Sequence, residues 1–291
     1  MRLPHVLLGL FIAAIWGTSF VAIKIGLQSY PPLMLAALRF TVAASPALVI
    51  GRPVELSWGH LVATGATLLL GQSGFLFVAI KVGMPPGLAS VVIQAQAFIT
   101  MAIAYVALGE VPRRRQIMGA LIASAGLCAI AFSITAPSTG NPLLGFFFIL
   151  VGATSWAAGN VLVRRSPKAE MLPTMIWLST ICVAPLFLLS FYFEGQSGLF
   201  SLMHPTAIGV AAVGYLAAIV TVLGFGLWGY LLKLYPAGTV APFAIAVPVF
   251  GVSASAATFG ERFGYLDFLG MALVLGGLFL IARSPRSLRP N

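Results

Sequence analysis

Residues Gly83–Glu110 read GMPPGLASVVIQAQAFITMAIAYVALGE, and their reading decides the fold. A Pro-Pro-Gly break opens the stretch, and an apolar run carries it to a Gly-Glu stop. A helix of that length, at ~1.5 Å per residue, crosses a hydrocarbon core of ~30 Å. The stretch also recurs. Gly87, Ala95, Gly109 and Glu110 return as Gly238, Ala246, Gly260 and Glu261, all at an offset of 151. The register continues in the next segment, where Gly119, Gly126, Leu127 and Ile130 meet Gly270, Gly277, Leu278 and Ile281. A register held over this distance marks an internal duplication.

Composition sets the class. Hydrophobic residues make up 60% of the chain and charged residues 8%, with a mean hydropathy of +1.04. A soluble domain carries about 25% charged residues, so the chain is an integral membrane protein. The first apolar run is too long for a signal peptide and reads as a retained span. The net charge of +10 sits in loops and sets topology, not nucleic-acid binding. Cys128 and Cys182 lie alone in apolar segments and make neither a metal motif nor a disulfide framework.

Ten hydrophobic spans follow: Pro4–Gln28, Pro32–Gly51, Trp58–Ile80, Pro86–Leu108, Arg115–Ser133, Pro142–Leu162, Met171–Phe193, Thr206–Leu231, Gly238–Phe259 and Tyr265–Ala282. Turn signals separate them, among them Tyr30-Pro31-Pro32, Met84-Pro85-Pro86, Ala136-Pro137, Asn141-Pro142 and Tyr235-Pro236. The short loops leave no room for an ATPase, and no GxxxxGK[ST] motif occurs. With the N-terminus cytoplasmic, the inner loops and ends hold 12 of the 16 basic residues: Arg2, Arg52, Arg113, Arg114, Arg115, Arg164, Arg165, Lys168, Lys233, Arg283, Arg286 and Arg289. The outer loops hold only Lys81 and Arg262, and Lys24 and Arg39 lie inside spans. Both termini are therefore expected in the cytoplasm.

Five spans per half is an odd number, so the halves enter the membrane in opposite directions. The first spans correspond at an offset of 140, with Leu10, Trp16 and Lys24 meeting Leu150, Trp156 and Arg164. The change of offset places about eleven extra residues in the second half, at Gly195–His204. The expected architecture is all-α: two inverted five-helix repeats, 1–135 and 141–285, around a central cavity, followed by a cytoplasmic tail, 286–291. Inverted repeats are a recurrent design of secondary transporters, with the substrate site near the midplane.

Several motifs carry a family resemblance. They are Trp16-Gly17-Thr18-Ser19-Phe20, Pro31-Pro32-Leu33 with Leu38-Arg39-Phe40, Gly87-Leu88-Ala89-Ser90, Gln94-Ala95-Gln96-Ala97-Phe98, Gly109-Glu110, Ser155-Trp156-Ala157-Ala158-Gly159-Asn160, and Val240-Ala241-Pro242 with Pro248 and Gly260-Glu261. On these, essentially the whole chain resembles the drug/metabolite transporter superfamily of the EamA type. It looks most like the bacterial inner-membrane exporters of cysteine and its acetylserine precursor, and next like aromatic amino-acid exporters. The resemblance implies a secondary exporter of amino acids or related metabolites working by alternating access. It also permits export of other metabolites or drugs, or lipid flipping. It implies a cavity lined by spans 1, 3, 4, 6, 8 and 9. Spans 5 and 10 would serve packing or homodimer contact. No cofactor, metal or catalytic set is expected, since paired intramembrane carboxylates, HExxH and a Ser–His pair at depth are all missing from the sequence.

The candidate site follows from polar and aromatic residues at depth. Gln72 and Gln94 are cavity amides able to bond an amino acid's carboxylate or amine, or else interhelical bonds. Phe75 and Phe98 share their faces. Trp16 and Trp156 are repeat partners away from the interfaces where Trp usually anchors; they wall the cavity or pack helices. Asn160 shares the Trp156 face, and Trp228 offers aromatic surface. Lys24 and Arg39 are expected to snorkel to the outer surface, the alternative being a carboxylate contact at an external gate. Glu110 and Glu261 end their helices and are expected to pair with Arg113 and Arg262, with proton coupling as the alternative. Pro242 and Pro248 free the carbonyls of Gly238 and Ala244 and form a gate, hinge or static kink.

Overall fold

The structure is a computed structural model and describes residues 1–134, 140–167 and 169–282. Lys168, Arg283, Arg286, Arg289, the tail 286–291 and the Ala136-Pro137 break lie outside these residues. Ten helical segments run through the described residues: α1 (Leu3–Gly26), α2 (Pro32–Leu48), α3 (Trp58–Lys81), α4 (Pro86–Leu108), α5 (Arg114–Ser133), α6 (Pro142–Arg165), α7 (Met171–Met203), α8 (Ala207–Leu234), α9 (Gly238–Phe259) and α10 (Tyr265–Ala282). Nine of them are long and apolar enough to cross a membrane; α2 is shorter. Successive helices run in alternating directions. The start of α1 and the end of α10 thus share one end of the molecule, called here the terminal end.

Local chemistry sets the helix limits. Pro32, Pro86 and Pro142 start α2, α4 and α6, where a missing N–H costs nothing. The side chains of Ser57, Asn141 and Thr206 accept from the backbone N–H groups of His60, Leu144 and Gly209. Gly109 (φ 69°) and Gly260 (φ 65°) close α4 and α9 in the left-handed conformation. That is the physical meaning of the repeated Gly-Glu: only glycine takes this cap without strain.

Two spans differ from expectation. The second stops at Leu48 and not Gly51, because Pro46 turns the chain into a 3₁₀ turn, Ser45–Leu48. The seventh runs on to Met203, past a non-helical Gly195 (φ 52°, ψ −130°). The extra residues of the second half are thus a further helical stretch. It is tied down by Glu194, whose carboxylate accepts from Ser190 Oγ (2.6 Å) and from the N–H groups of Leu33 (2.6 Å) and Met34 (3.0 Å) at the start of α2.

The largest helix interfaces join one half to the other: α5 with α10, α2 with α7, α3 and α4 with α6, and α8 and α9 with α1. Under the inverted symmetry the partners of α1 become those of α6. The α5–α10 seam is antiparallel and self-complementary. A methyl added at Gly119 would lie 2.5 Å from the Gly277 carbonyl oxygen, and one at Gly126 would lie 2.6 Å from that of Gly270. Small residues here let two backbones touch, as close helix pairs in lipid require. Large apolar side chains such as Phe11, Val106, Phe132 and Phe191 are exposed on the outside, where lipid meets them.

Irregular backbone also comes in symmetric pairs. α3 contains a π-helical segment, Gly65–Gly71, and α8 contains another, Tyr215–Leu223. The offset of 151 carries 65–71 onto 216–222. α4 narrows to a 3₁₀ turn at Ile93–Ala95. The same offset carries it onto 244–246, where α9 breaks at Ala246 between its segments Pro242–Ile245 and Val247–Phe259. The prolines had pointed to α9 alone, yet α4 breaks at the matching position without one. Irregular turns inside spans recur at functional sites and need partners for the freed backbone groups.

The α5–α10 seam makes a prediction. Gly126→Leu is expected to destabilise the protein by ~1–3 kcal/mol through overpacking, whereas Gly276→Leu, which meets nothing within 4 Å, is expected to change stability by less than about 0.5 kcal/mol. Unfolding of the two variants in detergent micelles checks this.

Candidate functional site

The kinked helices carry the first connection. Gln94, 8% exposed, donates its Nε2 to the Ala244 carbonyl at 3.2 Å. Pro248, four residues on, lacks the N–H that would otherwise take that carbonyl. One amide thus repairs the gap in α9 and ties it to the 3₁₀ turn of α4. Gln94 Nε2 makes an interhelical bond.

Gln96 belongs to a second connection. Its Oε1 accepts from Asn160 Nδ2 of α6 at 2.9 Å, and the same nitrogen lies 3.3 Å from Thr100 Oγ1. Gln72 Oε1 accepts from Ser73 Oγ at 3.0 Å. Ser155 Oγ donates to the Thr67 carbonyl in the π-helical segment of α3 at 2.8 Å. Phe75 stacks on Phe148 of α6 with centroids 6.1 Å apart. Trp156 and Phe98 are half-buried beside this core. Within this cluster the geometry engages only one polar atom each of Gln72, Gln96 and Asn160, so Gln72 Nε2, Gln96 Nε2 and Asn160 Oδ1, with the Trp156 indole N–H, keep hydrogen-bonding capacity toward a ligand. All belong to α3, α4 and α6.

The third connection is aromatic. Trp16 Nε1 donates to the Val220 carbonyl in the π-helical segment of α8 at 3.2 Å. Its ring lies 5.3 Å from Phe225 and 5.1 Å from Trp228. Thr18 and Tyr215 share a hydroxyl–hydroxyl bond of 2.6 Å one turn away. Trp16 and Ser155, on the first helix of each half, thus both bond a carbonyl in a π-helical segment of the other half.

The charged residues depart from expectation. Glu110 pairs with Arg164 of α6 (2.8 Å), not Arg113, and Arg165 of the same helix reaches the Ala107 carbonyl. Glu261 pairs with Lys24 of α1 (3.5 Å), not Arg262, and accepts from the Gly87 N–H at 3.2 Å. Lys24 does not snorkel away: its ammonium lies 4.3 Å from the Phe259 ring centroid. Since Glu261 is the repeat partner of Glu110 and Arg164 that of Lys24, these are one ion pair in two copies. One latches the terminal end and the other the opposite end. Each joins the first helix of one half to the Gly-Glu end of the other. Arg39 does not snorkel either; its side chain is buried and donates Nε to Thr221 Oγ1 of α8 at 3.1 Å.

Two cavities stand out. One, about 570 Å³, opens toward the terminal end between α3, α6, α7 and α8 and is lined by His60, Thr64, Arg164, Ser166, Glu170 and Lys233 among others. His60 bonds Ser166, and Lys233 pairs with Glu170 at 2.6 Å. Thr64 Oγ1 is buried there without a partner. The other, about 480 Å³, is an apolar groove between α2 and α7. None of the aromatic and amide residues singled out from the sequence lines either one. No group of three or more His, Cys, Asp or Glu side chains able to hold a metal occurs among the described residues.

The Gln94 bond is testable by a double-mutant cycle. Gln94→Leu alone is expected to cost ~1 kcal/mol by orphaning the Ala244 carbonyl. Combined with Pro248→Ala, which restores an N–H to that carbonyl, it is expected to cost at least ~0.5 kcal/mol less. Thermal unfolding of the four proteins in one detergent reads the coupling.

Comparison with known proteins matches this geometry to a family. The model of the EamA-like transporter family matches twice, over residues 3–132 and 143–283. A "probable amino-acid metabolite efflux pump" of Salmonella typhimurium is 37% identical over 280 residues, covering 94% of this chain and 93% of the relative. A pump of the same description from Escherichia coli is 37% identical over 279 residues, with the same coverage. The "uncharacterized inner membrane transporter YedA" of E. coli is 27% identical over 92% of this chain and 87% of its own. A crystal structure of a protein 21% identical has the same fold, with a TM-score of 0.61 over 98% of this chain and 100% of that one. The chain belongs to the EamA-like transporter family and is a multi-pass membrane transporter, not an enzyme.

Proposed function

We propose that this protein exports amino acids or related small metabolites from the cytoplasm across the bacterial inner membrane by alternating access. Relatives described as amino-acid metabolite efflux pumps, similar over nearly their whole length, support the substrate class. The basic bias of the loops supports a cytoplasmic terminal end. Substrate then enters from the side on which the 570 Å³ cavity opens.

The observation that carries the reading is the unspent polar set on α3, α4 and α6. The Asn160 carbonyl oxygen suits an ammonium, and the amide donors of Gln72 and Gln96 suit a further polar oxygen of the cargo. Trp156 adds an indole N–H beside them, while Trp16, Trp228 and Phe98 supply apolar wall. Hydrogen-bonding groups at mid-span without partners are costly in lipid and mark substrate pathways.

The two copied ion pairs act as latches. The exposed Arg164–Glu110 pair is worth only ~0.2–1 kcal/mol and opens at small cost; the Lys24–Glu261 pair, with Glu261 largely buried, is the tighter-held latch. Both are closed in this structure. Pro242 and Pro248 with the α4 turn let the α4–α9 pair bend between states. Glu110 and Glu261 couple protons only if export requires a pH gradient. The glycine faces of α5 and α10 occupy each other, which leaves only their outward faces for contact with a second copy.

Counterflow of a labelled amino-acid panel in proteoliposomes, with and without a pH gradient, tests the proposal. Wild type is expected to exchange at least one amino acid well above empty vesicles, and Asn160→Ala or Gln72→Ala to lower that exchange about tenfold, as ~1.4 kcal/mol of lost binding would. No movement across the panel sinks the function. Unchanged exchange in both variants sinks the site.

A further inference from the structure

Arg39 is a cation at depth that no carboxylate among the described residues pairs with. The chain has six acidic residues, and each is engaged or remote. Glu110, Glu170 and Glu261 pair with Arg164, Lys233 and Lys24. Glu194 caps α2 and accepts from Ser190. Asp267 takes Ser133 Oγ and the Gly264 N–H. Glu55 is exposed in the loop between α2 and α3.

The Arg39 residue is 9% exposed. Its Nε is fixed on Thr221 Oγ1 at 3.1 Å, and that hydroxyl in turn donates to the Leu216 carbonyl, five residues back in the π-helical segment. The guanidinium carbon lies 5.1 Å from the Phe40 ring centroid and 5.9 Å from that of Phe77. These contacts hold the plane in place and offset part of its charge. The two terminal nitrogens donate to no described residue. What remains is an oriented pair of N–H donors of fixed charge. Their geometry matches the two oxygens of a carboxylate. A charge held inside a membrane protein without an internal partner is by default a functional group.

We propose that Arg39 anchors the carboxylate of the transported molecule between α2, α3 and α8. The protein then selects free carboxylic acids over the matching amides and amines, and the π-helical segment of α8 is the wall that yields to admit them. The identity of the cargo as an amino acid rests on the export reading above; the carboxylate preference rests on Arg39.

The test measures binding and transport separately. Purified wild type, Arg39→Gln and Arg39→Lys are titrated with L-phenylalanine and L-cysteine, their amides, and phenethylamine and cysteamine. Ligand-induced rises in melting temperature give apparent affinities. Counterflow in proteoliposomes is run with the same compounds as competitors. Wild type is expected to bind at least one acid tenfold or more tightly than its amide. Arg39→Gln is expected to abolish that preference while leaving amide binding within about twofold. Arg39→Lys is expected to keep the preference at reduced strength, and it decides the matter if the Gln variant does not fold. A preference intact in Arg39→Gln, acid and amide weakened equally in either variant, or no acid bound by wild type would each overturn the anchor. Acid-selective binding without any counterflow would instead leave the anchor standing and overturn the export reading.

Discussion

The contacts that hold this protein together are made between its repeats, and that constraint shapes everything else. A five-helix half has no closed core of its own. α1 lies on α8 and α9, α6 lies on α3 and α4, and the glycines of α5 and α10 admit each other's backbone. Lipid gives helices no hydrophobic reason to associate, so packing and polar contacts between the halves must do it. Because the copies are inverted, several contacts in one half have a counterpart in the other. Lys24–Glu261 and Arg164–Glu110 are the plainest instance. Opening one end while the other stays closed therefore exchanges like contacts for like. A carrier requires two states of similar energy, and such an exchange suits the proposed alternating access.

The irregular turns have the same origin. A straight apolar helix satisfies its own backbone and offers a ligand little. The π-helical segments of α3 and α8 and the breaks of α4 and α9 free carbonyls at depth. The opposite half then takes several of them: Ser155 takes Thr67, Trp16 takes Val220, and Gln94 takes Ala244. Such bonds are weak enough in membranes, ~0.6 kcal/mol on average, to be remade as helices move.

Much of this was legible in the sequence, for reasons that can be named. The offsets of 151 and 140 gave the duplication and its inversion, because membrane spans must alternate in direction. Composition gave the class. The freed Ala244 carbonyl followed from Pro248, since a missing N–H has a fixed address. What stayed hidden depended on which half each side chain faces. Glu110 and Glu261 read as partners of the nearest arginines, yet inversion brings Arg164 and Lys24 to them. Arg39 read as a snorkelling residue, since its distance from the span end permits it; only the packing of α2 against α7 and α8 shows it enclosed. The 3₁₀ turn of α4 carries no proline, and the π-helical segments left no signal in spacing.

The central claim is that the two ends open in turn through one copied latch. The most direct measurement is a pair of spin-label distances in lipid nanodiscs, one pair flanking Glu110 and Arg164 and the other flanking Lys24 and Glu261, with and without an exchanged amino acid. The account predicts that populations shift in opposite senses: where the distance at one end lengthens, that at the other shortens or holds. Both ends lengthening together, or neither responding while exchange proceeds, would contradict it.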